Sequence, residues 1–270
     1  MEIVNGVTMG YIPFPCGKCP PCQKRRISGW SFRLTKHGQV SNTSQFVTLT
    51  YDESNVPTTE NGLQTLRKTD LQKFFKRLRK LTNEKISYYA VGEYGDKTQR
   101  PHYHIILFNG NCNSVESAWN LNNTTIGHCH FGDVNDASIG YTLKYISKEK
   151  QIPMHQQDDR QKEFSLMSKG LGKSYLTPQA IKWHKNKLEE RMYLPLKDGK
   201  KASMPRYYKD KMYKDGEKFM ISIHMKQLAE KQTDDLLKEI GIENFDFHIV
   251  QRHLNQFRRN KKQSLQRQKL

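Results

Sequence analysis

No stretch of this sequence approaches the roughly 18 consecutive apolar residues that a bilayer-spanning helix requires, and the first residues lack the basic-then-apolar order of a secretory leader. Both absences predict a protein that works in the cytoplasm with no membrane partner. Cysteine is scarce, five in 270 residues. In a reducing compartment such residues serve as thiols or metal ligands rather than bridges. Acid is in short supply too, because 27 Asp and Glu stand against 45 Lys and Arg, a formal charge of +18. That excess favours a polyanion, most simply nucleic acid, and no small-molecule substrate is expected. The stretch from Phe247 to Leu270 is the extreme case: it carries Arg252, Arg258, Arg259, Lys261, Lys262, Arg267 and Lys269 and no acid, the pattern of a phosphate-binding tail. There is no G-x-x-x-x-G-K-[ST] sequence, so a P-loop motor is excluded.

What is present is a recognisable order of elements. Residues 1–26, with Pro13, Pro15, Pro20 and Pro21, read as irregular, and a helix is expected over roughly 23–37. QFVTLTYD (45–52) is rich in β-branched and aromatic residues and predicts a strand. Asp70 is expected to cap a helix whose apolar face is Leu71, Phe74, Phe75, Leu78 and Leu81. ISYYAVGE (86–93) and HYHIILF (102–108) predict a hairpin, followed by a short helix near 113–120 and a strand over 127–134. From Ala137 to Lys150 a helix capped by Asp136 is expected. Residues 151–164 have no period and read as a mobile connection, Thr177-Pro178 opens a helix, and Asp198-Gly199 centres a hairpin within 190–206. Strand, helix, hairpin, strand, helix is neither alternating βαβ nor all-β. The fold class is therefore α+β, a central antiparallel sheet of about five strands with helices packed on it. Along the chain this gives an irregular segment to 26, a core over 27–150 and a basic, mostly helical region over 151–270.

Two stretches carry chemistry. In RPHYHIILF, His102 and His104 are two apart on a strand and project from the same face, with Tyr103 on the other. If residue numbers across the hairpin sum to about 195, Glu93 lies opposite His102 and Val91 opposite His104, with Cβ atoms ~5 Å apart. A Glu, His, His cluster would suit Mn²⁺ or Mg²⁺; two satisfied structural histidines are the other reading. In YTLKYISK (141–148), Tyr141, Lys144, Tyr145 and Lys148 share one side of a helix at i, i+3, i+4 and i+7, and Ile139, Leu143 and Ile146 form the buried stripe opposite. They make either a solvated Tyr/Lys face or two phenol nucleophiles, each with an ammonium one turn away. Cys16, Cys19 and Cys22 have thiolate-cluster spacing, but a structural zinc needs a fourth ligand, for which His37, Cys112, His128, Cys129 or His130 would have to come close in space.

A His-x-His on an apolar strand, followed some forty residues later by a helical Tyr-x-x-Lys, resembles the HUH endonuclease superfamily of rolling-circle initiators and relaxases. FVTLTYD, RPHYHIILF and YTLKYISK resemble its three motifs in order, the last in two-tyrosine form. PCGKCPPCQ and PRYYKDKMY (205–213) are similar to the replication initiators of gokushovirus-type microviruses. Tyr103, where this family often has an aliphatic residue, should affect packing only. The resemblance implies a metal-dependent nickase and ligase of a single-stranded DNA origin in the host bacterial cytoplasm, served by the host replication helicase and polymerase. His102, His104 and Glu93 would hold Mg²⁺ or Mn²⁺. Tyr141 and Tyr145 would attack in turn, leaving a 5′-phosphotyrosine and a free 3′-OH, and Lys144 and Lys148 would meet phosphate charge. DNA contacts are expected from Lys73, Lys76 and Arg77, from Lys169 and Lys173 in the glycine-bearing SKGLGKSY (168–175), and from Arg258 and Arg259. Tyr88, Tyr89, Trp119 and Phe131 are candidates for stacking on bases. The competing readings are a non-catalytic single-strand binder and a transposase or relaxase of the same chemistry.

Overall fold

Five strands make the central sheet in a computed structural model that describes residues 3–4, 7–8, 15–121, 124–146 and 152–268. They are β1 (Ser44–Thr50), β2 (Ser87–Tyr94), β3 (Pro101–Phe108), β4 (Cys129–Asp133) and β5 (Phe164–Met167), in spatial order β4-β1-β3-β2-β5. Every neighbouring pair is antiparallel. β3 holds the centre because it is apolar on both faces, the mark of a strand covered on both sides.

Tyr103, Ile105 and Leu107 face one helical layer, α2 (Lys68–Leu81) and α3 (Cys112–Ala118), where Leu71, Phe74, Phe75 and Leu78 close the core. Ile106 and Phe108 face the other layer, α1 (Pro20–Gly38) and α4 (Asp136–Lys144), through Leu34, Ile139 and Leu143. Helix α1 has a second apolar side. Phe32 packs with Leu194 of β6 (Tyr193–Pro195), Met204 just beyond β7 (Lys201–Ser203), Tyr208 and Met212 of α6 (Arg206–Met212) and Ile221 of α7 (Asp215–Ile240), with Ile181 of α5 (Pro178–Lys185) against them. Helix α8 (Ile242–Gln268) lies against α7, α1 and α4. The expected hairpin is present, with Asp198 and Gly199 at φ 58° and 69° between β6 and β7. No helix among the described residues is long and apolar enough to cross a membrane.

Several boundaries differ from the sequence expectation, each for a local reason. Helix α1 begins at Pro20, inside the segment read as irregular, since Pro20 and Pro21 fill its first two positions, where no N–H is required. In α2 the cap is Arg67, and Asp70, in the first turn, accepts a hydrogen bond from the Tyr51 hydroxyl at 3.0 Å. In α4 the cap is Asn135 rather than Asp136: its side chain accepts from the N–H groups of Ala137 and Ser138, and the Ser138 hydroxyl accepts from the Asn135 N–H in return. This helix ends at Lys144, and Lys148 lies outside the described residues. The connection after it is not loose where it is described. Ile152 is buried in the first core, and Asp158 accepts from the Met154 N–H and pairs with Arg160, both contacts at 2.8 Å. Beyond it β5, a strand the sequence reading missed, pairs with β2 and supplies the fifth strand from after residue 150.

Candidate active site

The hairpin of β2 and β3 sets the site. Its register is the one inferred from sequence, Glu93 opposite His102 and Val91 opposite His104, so three polar side chains share the face covered by α4. A single carboxylate oxygen, Glu93 Oε1, stands 3.2 Å from His102 Nε2 and 3.2 Å from His104 Nε2. All three donor atoms lie within 4.8 Å of one another. Glu93 and both imidazoles are largely buried, at 12%, 17% and 8% side-chain exposure. Burial alone would raise the Glu93 carboxyl, but hydrogen bonds and charge from the two histidines outweigh it and hold it far below the ordinary carboxylate range.

The remote nitrogen of each ring is engaged. His102 Nδ1 lies 3.1 Å from the Arg100 carbonyl, which can only accept, so Nδ1 carries the proton and in the neutral ring Nε2 carries the lone pair. His104 Nδ1 lies 2.9 Å from the Thr48 hydroxyl of β1, its direct cross-strand partner. Outer contacts of this kind are what orient imidazoles toward a metal. With two imidazole nitrogens and a carboxylate oxygen converging, the donor set fits a divalent cation of the Mn²⁺ or Mg²⁺ type, open to further oxygen ligands.

Helix α4 brings one tyrosine to this cluster. The Tyr141 hydroxyl donates to Glu93 Oε1 at 3.4 Å, its ring meets His104 edge-on at 5.0 Å, and Phe46 stacks on the same imidazole. Burial and the neighbouring Glu93 charge push the Tyr141 phenol up to about 12, which keeps it protonated. Lys144 Nζ lies 5.5 Å from the centre of the Tyr141 ring. Tyr145 goes elsewhere. It follows the end of α4, packs among the buried residues around Tyr89 and Leu143, and donates its hydroxyl to the backbone carbonyl of Glu163, just before β5. The expectation of two equivalent, solvated phenols is thus corrected: the edge strand it did not foresee supplies the partner that draws Tyr145 away.

The other expected contacts divide. Lys73 and Lys76 are exposed on α2, the layer on the opposite face of the sheet from the histidines. Arg77 Nε donates to the Ala118 carbonyl at 2.7 Å and ties α2 to the end of α3. Lys169 and Lys173 are exposed. Gly172, however, answers packing rather than a phosphate: at φ 73° its missing Cβ would stand 2.8 Å from the Arg33 backbone and from the Tyr208 hydroxyl. Arg258 and Arg259 are exposed on α8, which rests on α4. Tyr89 and Trp119 are fully buried and Tyr88 is stacked on Phe75 at 3.4 Å, so only Phe131 of the four proposed aromatics is open to a base. Cys16, Cys19 and Cys22 converge, yet among the described residues no fourth histidine, cysteine or carboxylate joins them. Sequence reading missed Phe46, Thr48 and the Glu163 carbonyl. For Thr48 a signal existed, since pairing QFVTLTYD antiparallel to HYHIILF puts it across from His104.

A five-stranded antiparallel sheet whose middle strand carries His-x-His beneath a tyrosine helix is the architecture of the HUH class. Comparison with known proteins makes this particular. Residues 44–150, which contain the cluster and Tyr141, match the replication-associated protein ORF2 family. Over 248 residues, 82% of this chain and 76% of the relative, the sequence is 29% identical to the replication-associated protein VP4 of Bdellovibrio phage phiMH2K. It is 26% identical over 241 residues to the replication-associated protein ORF2 of Spiroplasma virus 4, covering 80% of this chain and 73% of that one. With the replication-associated protein ORF4 of Chlamydia phage 1 it shares 25% over 231 residues, 75% of this chain and 54% of the other. No solved structure matches the chain.

Proposed function

We propose that the protein initiates and terminates rolling-circle replication of a phage genome by nicking and rejoining a single-stranded origin through tyrosine transesterification. The observation that carries this reading is the position of the Tyr141 hydroxyl, 3.4 Å from the carboxylate oxygen that both histidine Nε2 atoms also face. Glu93, His102 and His104 would hold Mg²⁺ or Mn²⁺, which when bound offsets the negative charge growing on the phosphate oxygens. The residues supply the rest. Tyr141 Oη forms a bond to phosphorus as the bond from phosphorus to the 3′-oxygen breaks; the phenol gives up its proton and the leaving oxygen gains one. The products are a 5′-phosphotyrosine and a 3′-OH that a host polymerase extends behind a host helicase. Lys144, beside the Tyr141 ring, favours the anionic phenolate and the phosphate it attacks. Lys148 keeps the role its one-turn spacing implies.

Tyr145 is the second nucleophile in this reading. While Tyr141 carries the first DNA end, Tyr145 leaves the Glu163 carbonyl and attacks the regenerated origin, so cutting and rejoining proceed without release. A non-catalytic DNA binder has no use for a phenol aimed at a buried Glu, His, His cluster. Incubating the protein with an origin oligonucleotide and Mn²⁺ tests the reading: a denaturation-resistant protein–DNA species is expected, and its absence with a bound, intact oligonucleotide would contradict it.

Two further outcomes are expected. Glu93→Gln and Thr48→Val should each weaken Mn²⁺ binding by roughly 10–100-fold, the first by removing a ligand and the second by freeing the His104 ring. Titration calorimetry with an unchanged constant would remove that residue from the site. The triple change Arg252→Gln, Arg258→Gln, Arg259→Gln on α8 should weaken single-strand binding. It should also make log K fall less steeply with log salt, by about 0.7 for each phosphate that is no longer neutralised. An unchanged slope would mean that α8 does not touch DNA.

A further inference from the structure

We infer that Cys16, Cys19 and Cys22 form a second, separate metal site, a three-thiolate zinc centre at the start of α1 with solvent as the fourth ligand. The three Sγ atoms lie within 4.8 Å of one another, and the group shares no residue with Glu93, His102 and His104. A zinc–sulfur bond of about 2.3 Å implies sulfurs about 3.8 Å apart at the corners of a tetrahedron, so the observed spread needs to close by no more than about 1 Å.

The backbone is arranged for this purpose in three ways. Gly17 takes φ 73°, a conformation that L side chains rarely adopt, and so turns the chain tightly between Cys16 and Cys19. At the end of that turn the Cys19 N–H points at Cys16 Sγ, 3.2 Å away, a donor that favours a thiolate over a thiol. Pro20 and Pro21 then fill the first positions of α1, making Cys19 its cap and placing Cys22 in its first turn, where the helix dipole favours negative charge.

Charge and burial agree with metal binding. Three thiolates and one Zn²⁺ sum to a single negative charge, and the exposed Lys18, Lys24, Arg25 and Arg26 surround the group with cations. Binding would release the three thiol protons. Cys16 is exposed and Cys19 and Cys22 half-exposed, so the cluster is not explained as buried core thiols. The helix it would anchor is the one whose Leu34 packs against Ile139 and Leu143 of α4, which gives the site a structural rather than a catalytic place.

The full-length protein, purified under reducing conditions without chelator, should carry one zinc per chain by elemental analysis. The double variant His102→Ala, His104→Ala should keep that zinc, and the double variant Cys16→Ser, Cys19→Ser should lose it. Adding Co²⁺ to metal-free wild type should produce sulfur-to-cobalt absorption in the near ultraviolet and intense visible bands, both saturating at one equivalent and both erased by Zn²⁺. In the wild type, zinc should also protect three of the five cysteines from a thiol reagent, a readout that does not depend on a variant folding. The inference is overturned if no thiolate–cobalt absorption develops, if zinc leaves all five thiols equally reactive, or if the cobalt bands persist in the cysteine variant. Visible absorption from an iron–sulfur cluster in the purified protein would overturn it as well. None of these outcomes bears on the nicking site, whose ligands are different residues.

Discussion

His102→Ala and His104→Ala should each reduce cleavage of a single-stranded origin oligonucleotide by about 10²–10³-fold or more, the scale of losing a preorganised charge stabiliser from an active site. Binding of the same oligonucleotide should stay within about twofold. The two effects separate because the histidines form a compact cluster with Glu93, whereas the exposed cations that meet DNA backbone lie on other elements, Lys169 and Lys173 after β5 and Arg258 and Arg259 on α8. Neither substitution should unfold the protein. His102 sits at the end of β3, and the sheet around His104 is held by Val47, Leu49, Ile105 and Ile106, all fully buried. Circular dichroism and a thermal melt would verify this. A variant that cleaved at the wild-type rate in chelator-treated buffer would remove the cluster from the reaction.

The tyrosines should behave unequally. Tyr141→Phe keeps the ring against His104 and Phe46 but removes the hydroxyl nearest the cluster. The first cut must then come from Tyr145, which has to give up its hydrogen bond to the Glu163 carbonyl and swing toward Glu93. That bond is worth roughly 1 kcal/mol net, so with the reorientation added a loss of first-strand cleavage of about tenfold or more is expected, but not its abolition. Tyr145→Phe should leave the first cut within about twofold and block rejoining, since no second phenol remains. The double variant should do neither. Each rate is read from gels of a labelled origin oligonucleotide, and rejoining from transfer of a second strand onto the trapped adduct. Full rejoining by Tyr145→Phe would reduce Tyr145 to a packing residue.

What could be read from the sequence was what local pattern controls. The β2 and β3 register was legible because alternation on both strands and the turn between them allow few pairings that keep Val91, Ile106 and Phe108 on one buried face. What it hid was set by partners far along the chain. FSLM (164–167) is four half-buried residues after a polar stretch, and only pairing with β2 makes it a strand. Its arrival fixes Tyr145, so the asymmetry of the two tyrosines could not be seen in YTLKYISK alone. Arg77 has the composition of a DNA contact and spends its guanidinium on the Ala118 carbonyl, while Tyr88, Tyr89 and Trp119 are large rings that the cores needed. Asp70 and Asp136 both fit the pattern of a helix cap; Arg67 and Asn135, one to three residues earlier, hold the position instead.

The most direct measurement is peptide mapping of the covalent adduct. Wild-type protein is incubated with an origin oligonucleotide and Mn²⁺, the DNA is trimmed with nuclease, and proteolytic peptides are analysed by mass spectrometry. After a single turnover the nucleotide should be found on Tyr141, and after several turnovers on Tyr141 and Tyr145 both. With His102→Ala it should be found on neither. An adduct on any residue other than these two, or an adduct formed in full by the double Tyr141→Phe, Tyr145→Phe variant, would contradict the account.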